Sequence, residues 1–269
     1  KLLYGTNVDE NIKNYAHLRE ECLKARESER ERKQKVEPQT ADEVYQRLKN
    51  GEKIGQMCSL MLGRTFMKRD KKLEVLKLAT YYKEEVEDEM RYNLLRLLAN
   101  RDCAWACELS CLIADSQSKN SELSERAFVA LRFYPKDVRV RDYAIALLQK
   151  KEHIAEAVSM LAANYEESDK ELFVEAVKQI PITYENGYWH AAFYDVMDVF
   201  ASGKKKPNEL LLYMYRNTLC SFCREYVVRE MGRRHMLTRE LLEEMQYDSN
   251  SDIRKYVDKK LRVIKNNFQ

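Results

Sequence analysis

The stretch Leu241-Leu-Glu-Glu-Met-Gln-Tyr-Asp-Ser-Asn-Ser-Asp-Ile-Arg-Lys-Tyr-Val-Asp-Lys-Lys-Leu261 decides the fold. Leu241, Leu242 and Met245 mark one face of a helix at helical spacing. Asp248, Ser249, Asn250 and Ser251 then form a polar break, after which Ile253, Val257 and Leu261 recur every four residues. Two amphipathic helices joined by a short turn, with neither Gly nor Pro in it, are the predicted unit. The composition extends this to the whole chain. Its 269 residues include only 7 Gly and 4 Pro, together about 4% against about 12% in average usage. Sheets joined by tight turns depend on those residues, so a β-sandwich or a collagen-like repeat is excluded. Leu, Ala, Glu, Lys and Arg are abundant, and the predicted class is all-α.

Working outward, the pattern predicts helices over 41–50, 53–66, 70–83, 85–100, 102–115, 121–134, 137–151, 153–166, 169–180, 187–202, 207–217, 220–235, 237–247 and 251–266. Asp70, Asp137, Asp169 and Thr238 stand where N-caps are expected. The first 38 residues read as a charged helix and cap, its apolar stripe (Ile12, Tyr15, Leu18, Cys22) fading into the charge-rich tract 27–35 before Pro38. A recurring pattern ties the helices together. Arg, an aromatic at +2, a small or β-branched residue at +3 and a large apolar residue at +7 occur at Arg126, Arg224 and Arg254, with a weaker copy at Arg91. The spacings 35, 98 and 30 fit a period near 33 with two degenerate copies near 158 and 191.

The 241–261 stretch resembles the HEAT repeat, in which a turn Asp precedes a Val/Ile-Arg that opens the second helix. Asp248 and Ile253-Arg254 hold those positions, and Val140-Arg141-Asp-Tyr-Ala144 resembles the second-helix element alone. Near Arg224 the turn Asp is replaced by Asn217 or Thr218. The resemblance covers roughly residues 70–265 and implies a right-handed α-α superhelix of about six or seven pairs over 39–269. It implies that the second helices (85–100, 121–134, 153–166, 187–202, 220–235, 251–266) line a concave face. The family's Asp–Arg pairing would link Asp248 either to Arg254 or to an Arg of the neighbouring repeat.

The chain offers no catalytic constellation: GxSxG, HExxH, P-loop and GxGxxG motifs are absent, and seven glycines leave little for phosphate-cradling loops. No catalytic residue, metal ligand or cofactor is therefore expected. Cys220-Ser-Phe-Cys223 has the spacing of zinc ligands or a redox dithiol, with His235 the nearest His in sequence, but a single CxxC is equally a packed helix start. Cys103, Cys107 and Cys111, four residues apart, read as one stripe of a buried helix. His190 lies between Tyr188-Trp189 and an apolar run, which suits a core or boundary His bonded to a backbone carbonyl, or a ligand-holding one. Seven cysteines form no dense even framework, so a reducing, cytoplasmic setting is expected. The longest apolar run, Leu210 to Tyr215, is six residues, far short of a membrane span. The chain begins with Lys1, and an anchor upstream of it would make this the cytosolic part of a longer protein.

The net charge is only +3, but residues 203–269 hold 15 Lys and Arg against 9 Asp and Glu. Arg224, Arg229, Arg233, Arg234, Lys255, Lys259, Lys260 and Arg262 all fall on the last two second helices. The expectation is a non-catalytic module that binds a protein partner, with an acidic one favoured, through Trp189, His190, Arg229, Arg233, Lys255, Lys259 and Arg262. The alternative resembles the HEAT-like alkylpurine DNA glycosylases, on the strength of Trp105 and Trp189 with Asp102 and Asp195 nearby. The near-neutral charge disfavours nucleic acid.

Overall fold

Short polar side chains set where the helices start. Thr40 accepts from the Glu43 N–H while Glu43 answers the Thr40 N–H, a reciprocal cap for α1 (Ala41–Lys49). Asn120, Asp137 and Thr238 cap α5 (Ser121–Phe133), α6 (Val138–Lys150) and α12 (Arg239–Met245) by accepting first-turn N–H groups, without the reciprocal bond. The other helices are α2 (Lys71–Glu84), α3 (Asp88–Leu98), α4 (Leu109–Ser116), α7 (Ile154–Asn164), α8 (Lys170–Gln179), α9 (Tyr188–Ala201), α10 (Asn208–Asn217), α11 (Ser221–Arg233) and α13 (Ser251–Asn266). The computed structural model describes residues 40–52, 71–182, 188–201 and 207–266, and no strand occurs among them. The predicted helix 53–66, the Asp70 cap and the 1–38 cap lie outside the described residues.

Three predicted helix starts are reshaped by side-chain hydrogen bonds, two of them local and one from a distant helix. The predicted helix 102–115 is two pieces: a 3-10 turn, Ala104–Ala106, and α4. Cys107 is extended between them (ψ 146°), so the three cysteines do not share one helical stripe. The Trp105 indole N–H donates to the Asp102 carbonyl at 2.8 Å, which holds the turn closed. Asp169 precedes α8 but makes no cap bond to it. Its carboxylate accepts from the Glu166 N–H, capping the short 3-10 turn before α8, and from the Arg141 guanidinium of α6. Helix α3 begins at Asp88, three residues later than predicted, because the Glu85 carboxylate accepts the Val86 and Glu87 N–H groups. With Gly so scarce, left-handed turn positions fall to Lys151 (φ 59°), His153 (φ 46°) and His235 (φ 56°).

The chain divides into two units, Lys1–Leu98 and Ala99–Gln269. In the first, α1 packs on α2 and α3, with Tyr45 stacked on Tyr81 (ring centroids 4.1 Å apart). In the second unit most helices pack on a neighbour in sequence. Helices α4 and α5, α6 and α7, α10 and α11, and α12 and α13 pack as pairs, while α7 packs on both α5 and α9 and α11 packs on α13. Among the predicted second helices, α5, α7 and α9 thus meet in turn, as do α11 and α13. Cross-pair polar links follow the same order. Arg132 of α5 reaches Asp195 of α9 at 2.9 Å across α7, and Lys136 and the Asp137 N–H meet Glu166 and Asn164.

The recurring Arg now has a physical role. Arg224 donates from one terminal nitrogen to the Thr218 and Leu219 carbonyls, and Arg254 does the same to those of Asp248 and Ser249. Arg91 reaches the Glu85 carbonyl at 2.9 Å. Arg91, Arg224 and Arg254 thus tie down carbonyls in the turn before their own helices, five to six residues back, whereas Arg126 makes no such bond among the described residues. The rest of the Arg224 guanidinium forms a two-pronged pair with Asp248 at 3.0 and 3.1 Å. Of the two partners open to Asp248, the neighbouring second helix supplies the one used. The +3 and +7 residues of these two copies (Val227, Met231, Val257, Leu261) are buried. The +2 aromatic Tyr256 lies against Gly232, where a methyl group would run into its hydroxyl and ring. Gly232 is thus the close-approach point between α11 and α13.

Candidate functional site

Helix α9 is apolar on three sides. Trp189, Ala192, Phe193, Val196, Met197, Val199 and Phe200 are buried, leaving an exposed stripe of His190, Tyr194 and Asp198 at four-residue spacing. The start of α11 meets that stripe. Cys220 is its N-cap residue and Cys223 sits in its first turn. His190 Nδ1 lies 3.4 Å from Cys223 Sγ. The three ligand atoms, His190 nitrogen and the Cys220 and Cys223 sulfurs, all fall within 4.8 Å of one another. Sequence proximity had singled out His235 for this pair; the fold brings His190 instead, from 33 residues upstream. His190 is also exposed, with a thiol rather than a backbone carbonyl beside Nδ1.

The two thiols are polarised in opposite directions. Burial pushes Cys223 up to about 12, helped by the hydrogen bond and charge of Cys220. Burial would raise Cys220 too, but the first-turn N–H groups of Cys223 and Phe222, the Cys223 thiol and the Arg224 charge hold it below the ordinary thiol value. Cys220 closes no N-cap hydrogen bond, so the lowering is the combined field of the helix start and its neighbours. Tyr194 is raised by the charge of Cys223 and by burial.

Around this cluster the surface is unusually apolar. Phe222 is 78% exposed and Tyr194 54%, with Leu219 and Tyr226 also exposed. Phe222 and Leu219 flank Cys220, and Tyr226 lies near enough to Tyr194 to act on its ionisation. Beyond them run the basic residues picked from the sequence. Arg229 pairs with Glu225, Arg233 with Glu230, and Lys255 with Asp252, all within one helix turn. Lys259 and Arg262 are exposed on α13. Trp189, selected with them, is only 3% exposed, with its ring 6.4 Å from that of Phe193. Asp195 is likewise turned inward. Burial raises its carboxyl above the usual range despite Ser159 and Arg132, so its folded-state contribution fades as pH rises through that raised value.

The chain matches no protein-family model, no curated protein and no solved structure. No helix among the described residues is long and apolar enough to cross a membrane.

Both cysteines and His190 were visible in the sequence as separate features. Their meeting was not, because it depends on how α9 and α11 stack. The available signal was the predicted period near 33: His190 and Cys223 are 33 residues apart, each the third residue of its helix.

Proposed function

We propose that this protein is a non-catalytic interaction module, a HEAT-like right-handed superhelix whose second-helix row holds a protein segment. The single observation that carries this reading is the exposed apolar group Tyr194, Leu219, Phe222 and Tyr226 on α9 and at the start of α11. Large apolar side chains left in water cost free energy, and a grouped set of them marks an interaction surface. Tyr and Phe are suited to the task, since they bring large contact areas with few rotatable bonds. Stacking of α5, α7 and α9, and of α11 on α13, with the His190–Cys223 contact between α9 and α11, supports a row of second helices. The basic α13 beside the apolar group favours an acidic flank on the partner. Six or seven pairs would fit residues 41–266, and four packed pairs lie within Ala99–Gln269 among the described residues. A cytoplasmic setting suits the free thiols at Cys103, Cys107, Cys111, Cys220 and Cys223.

The test is selection of a displayed random-peptide library on the full chain. The expected winners carry an apolar anchor with Asp or Glu beside it, and Phe222→Asp abolishes their binding. Because Phe222 is exposed, the same change shifts stability by no more than about 0.5 kcal/mol. Winners that bind Phe222→Asp as well as the parent would overturn the assignment. Tight binding of duplex DNA that falls by about 10³-fold or more between 50 and 200 mM salt would replace it with the nucleic-acid alternative.

A further inference from the structure

We propose that His190, Cys220 and Cys223 form a binding site for a zinc-class divalent ion. Three features of the structure carry this. The donor set is the first: two thiols and an imidazole are the ligands that a borderline-soft d¹⁰ ion prefers over water and carboxylates. The second is distance. Tetrahedral zinc, with bonds of about 2.3 Å to sulfur and about 2.0 Å to nitrogen, sets neighbouring S and N ligands about 3.6 Å apart and S and S about 3.8 Å apart. The observed Nδ1–Sγ separation is 3.4 Å, and no pair of the three ligand atoms exceeds 4.8 Å. The third is origin. A CxxC knuckle at the first turn of α11 supplies two ligands, and α9 supplies the third from a separate segment.

Both thiols bind such an ion as thiolates, so uptake should release protons. Three protein ligands leave one tetrahedral position. His190 is exposed and Cys220 half-exposed, so that position opens toward water and the Tyr194 and Phe222 surface. The ion would tie α9 to α11 at the very place where the apolar group is displayed. The inference rests on the ligand geometry and stands whether or not the second-helix row binds a protein.

The test is titration of the full chain, reduced and metal-free, with Co²⁺ and then Zn²⁺. The expected result is one Co²⁺ per chain, with sulfur-to-cobalt charge-transfer bands and tetrahedral d–d bands, both lost on adding Zn²⁺. His190→Gln, at an exposed position, and Cys220→Ala should each weaken Zn²⁺ binding by more than about tenfold, the loss that removing even an outer-shell partner brings. Cys111→Ser should leave the bands unchanged. Cobalt bands that persist in both His190→Gln and Cys220→Ala would overturn the site. So would a chain in which Cys220 and Cys223 are joined by a disulfide as isolated and which takes up no ion after reduction; that result would assign the pair to thiol–disulfide exchange. Peptide binding is read separately, so failure of the metal site and failure of the interaction surface are distinguishable.

Discussion

Arg224→Met should lower the free energy of unfolding by about 3–5 kcal/mol, the cost of leaving a buried carboxylate without its partner. Asp248 is 5% exposed and Arg224 16%, and the pair has two-pronged geometry backed by bonds to Ser249 Oγ and two turn carbonyls. An exposed ion pair in the same chain, such as Arg239–Glu243, should contribute no more than about 1 kcal/mol. Adding Asp248→Asn to Arg224→Met removes the stranded charge while keeping an acceptor for the Asn250 N–H, so the double variant should fall well short of the summed single losses. Chemical denaturation of the four proteins measures this. The pH dependence has a fixed sign. Burial alone would raise the Asp248 carboxyl, but donation from Arg224 and the Asn250 N–H and the Arg224 charge hold it below the usual carboxylate range. Its contribution is present above the unfolded value of about 3.9 and is lost as pH falls through the lowered folded value. Arg224→Met should therefore flatten the acid limb of the stability profile. A loss under about 1 kcal/mol would mean that the link between α11 and the α12–α13 turn is no stronger than a surface pair.

Phe193→Ala should also cost about 3–5 kcal/mol, while Tyr194→Ala next to it costs about 0.5 kcal/mol or less. Phe193 is fully buried on the face of α9 that packs against the core, and its ring meets Tyr194 edge-on at 5.4 Å. Its removal deletes transfer free energy and leaves a cavity that helices packed on both sides cannot close. Trp189, 6.4 Å from Phe193, reports the transition by fluorescence. Equal effects from the two substitutions would show that α9 is rotated about its axis, which would also displace His190 from Cys223.

Much of this architecture was legible because helix and turn carry local signals. The four-residue recurrence of Ile253, Val257 and Leu261 and the Thr238 cap need no tertiary information, and both lie where the structure has helices. The recurring Arg was legible as a pattern, although its work, tying down turn carbonyls, was not. The failures arose where a hydrogen bond, distant or local, overrides the apolar periodicity. Asp169 has the right side chain to cap α8, yet Arg141 draws it away. Cys103, Cys107 and Cys111 keep helical spacing, yet the chain is extended at Cys107. The site was legible only in parts: the CxxC pair stood out, but its His came from α9, 33 residues upstream of Cys223. Trp189 and Phe222 show the limit from another side. An apolar residue next to a helix start has the same local signature whether it is buried or displayed, and packing alone separates the 3% exposure of one from the 78% of the other.

The central claim is that the second-helix row around Tyr194 and Phe222 is the face that holds a partner. Mapping backbone amide shifts of the ¹⁵N-labelled chain, titrated with a peptide selected on it, tests this most directly. The predicted result is a set of perturbations on α9, α11 and α13, centred on residues 190–194 and 219–226, with α10 and α12 unmoved. Perturbations concentrated on α10 and α12, the first helices of the same pairs, would contradict it.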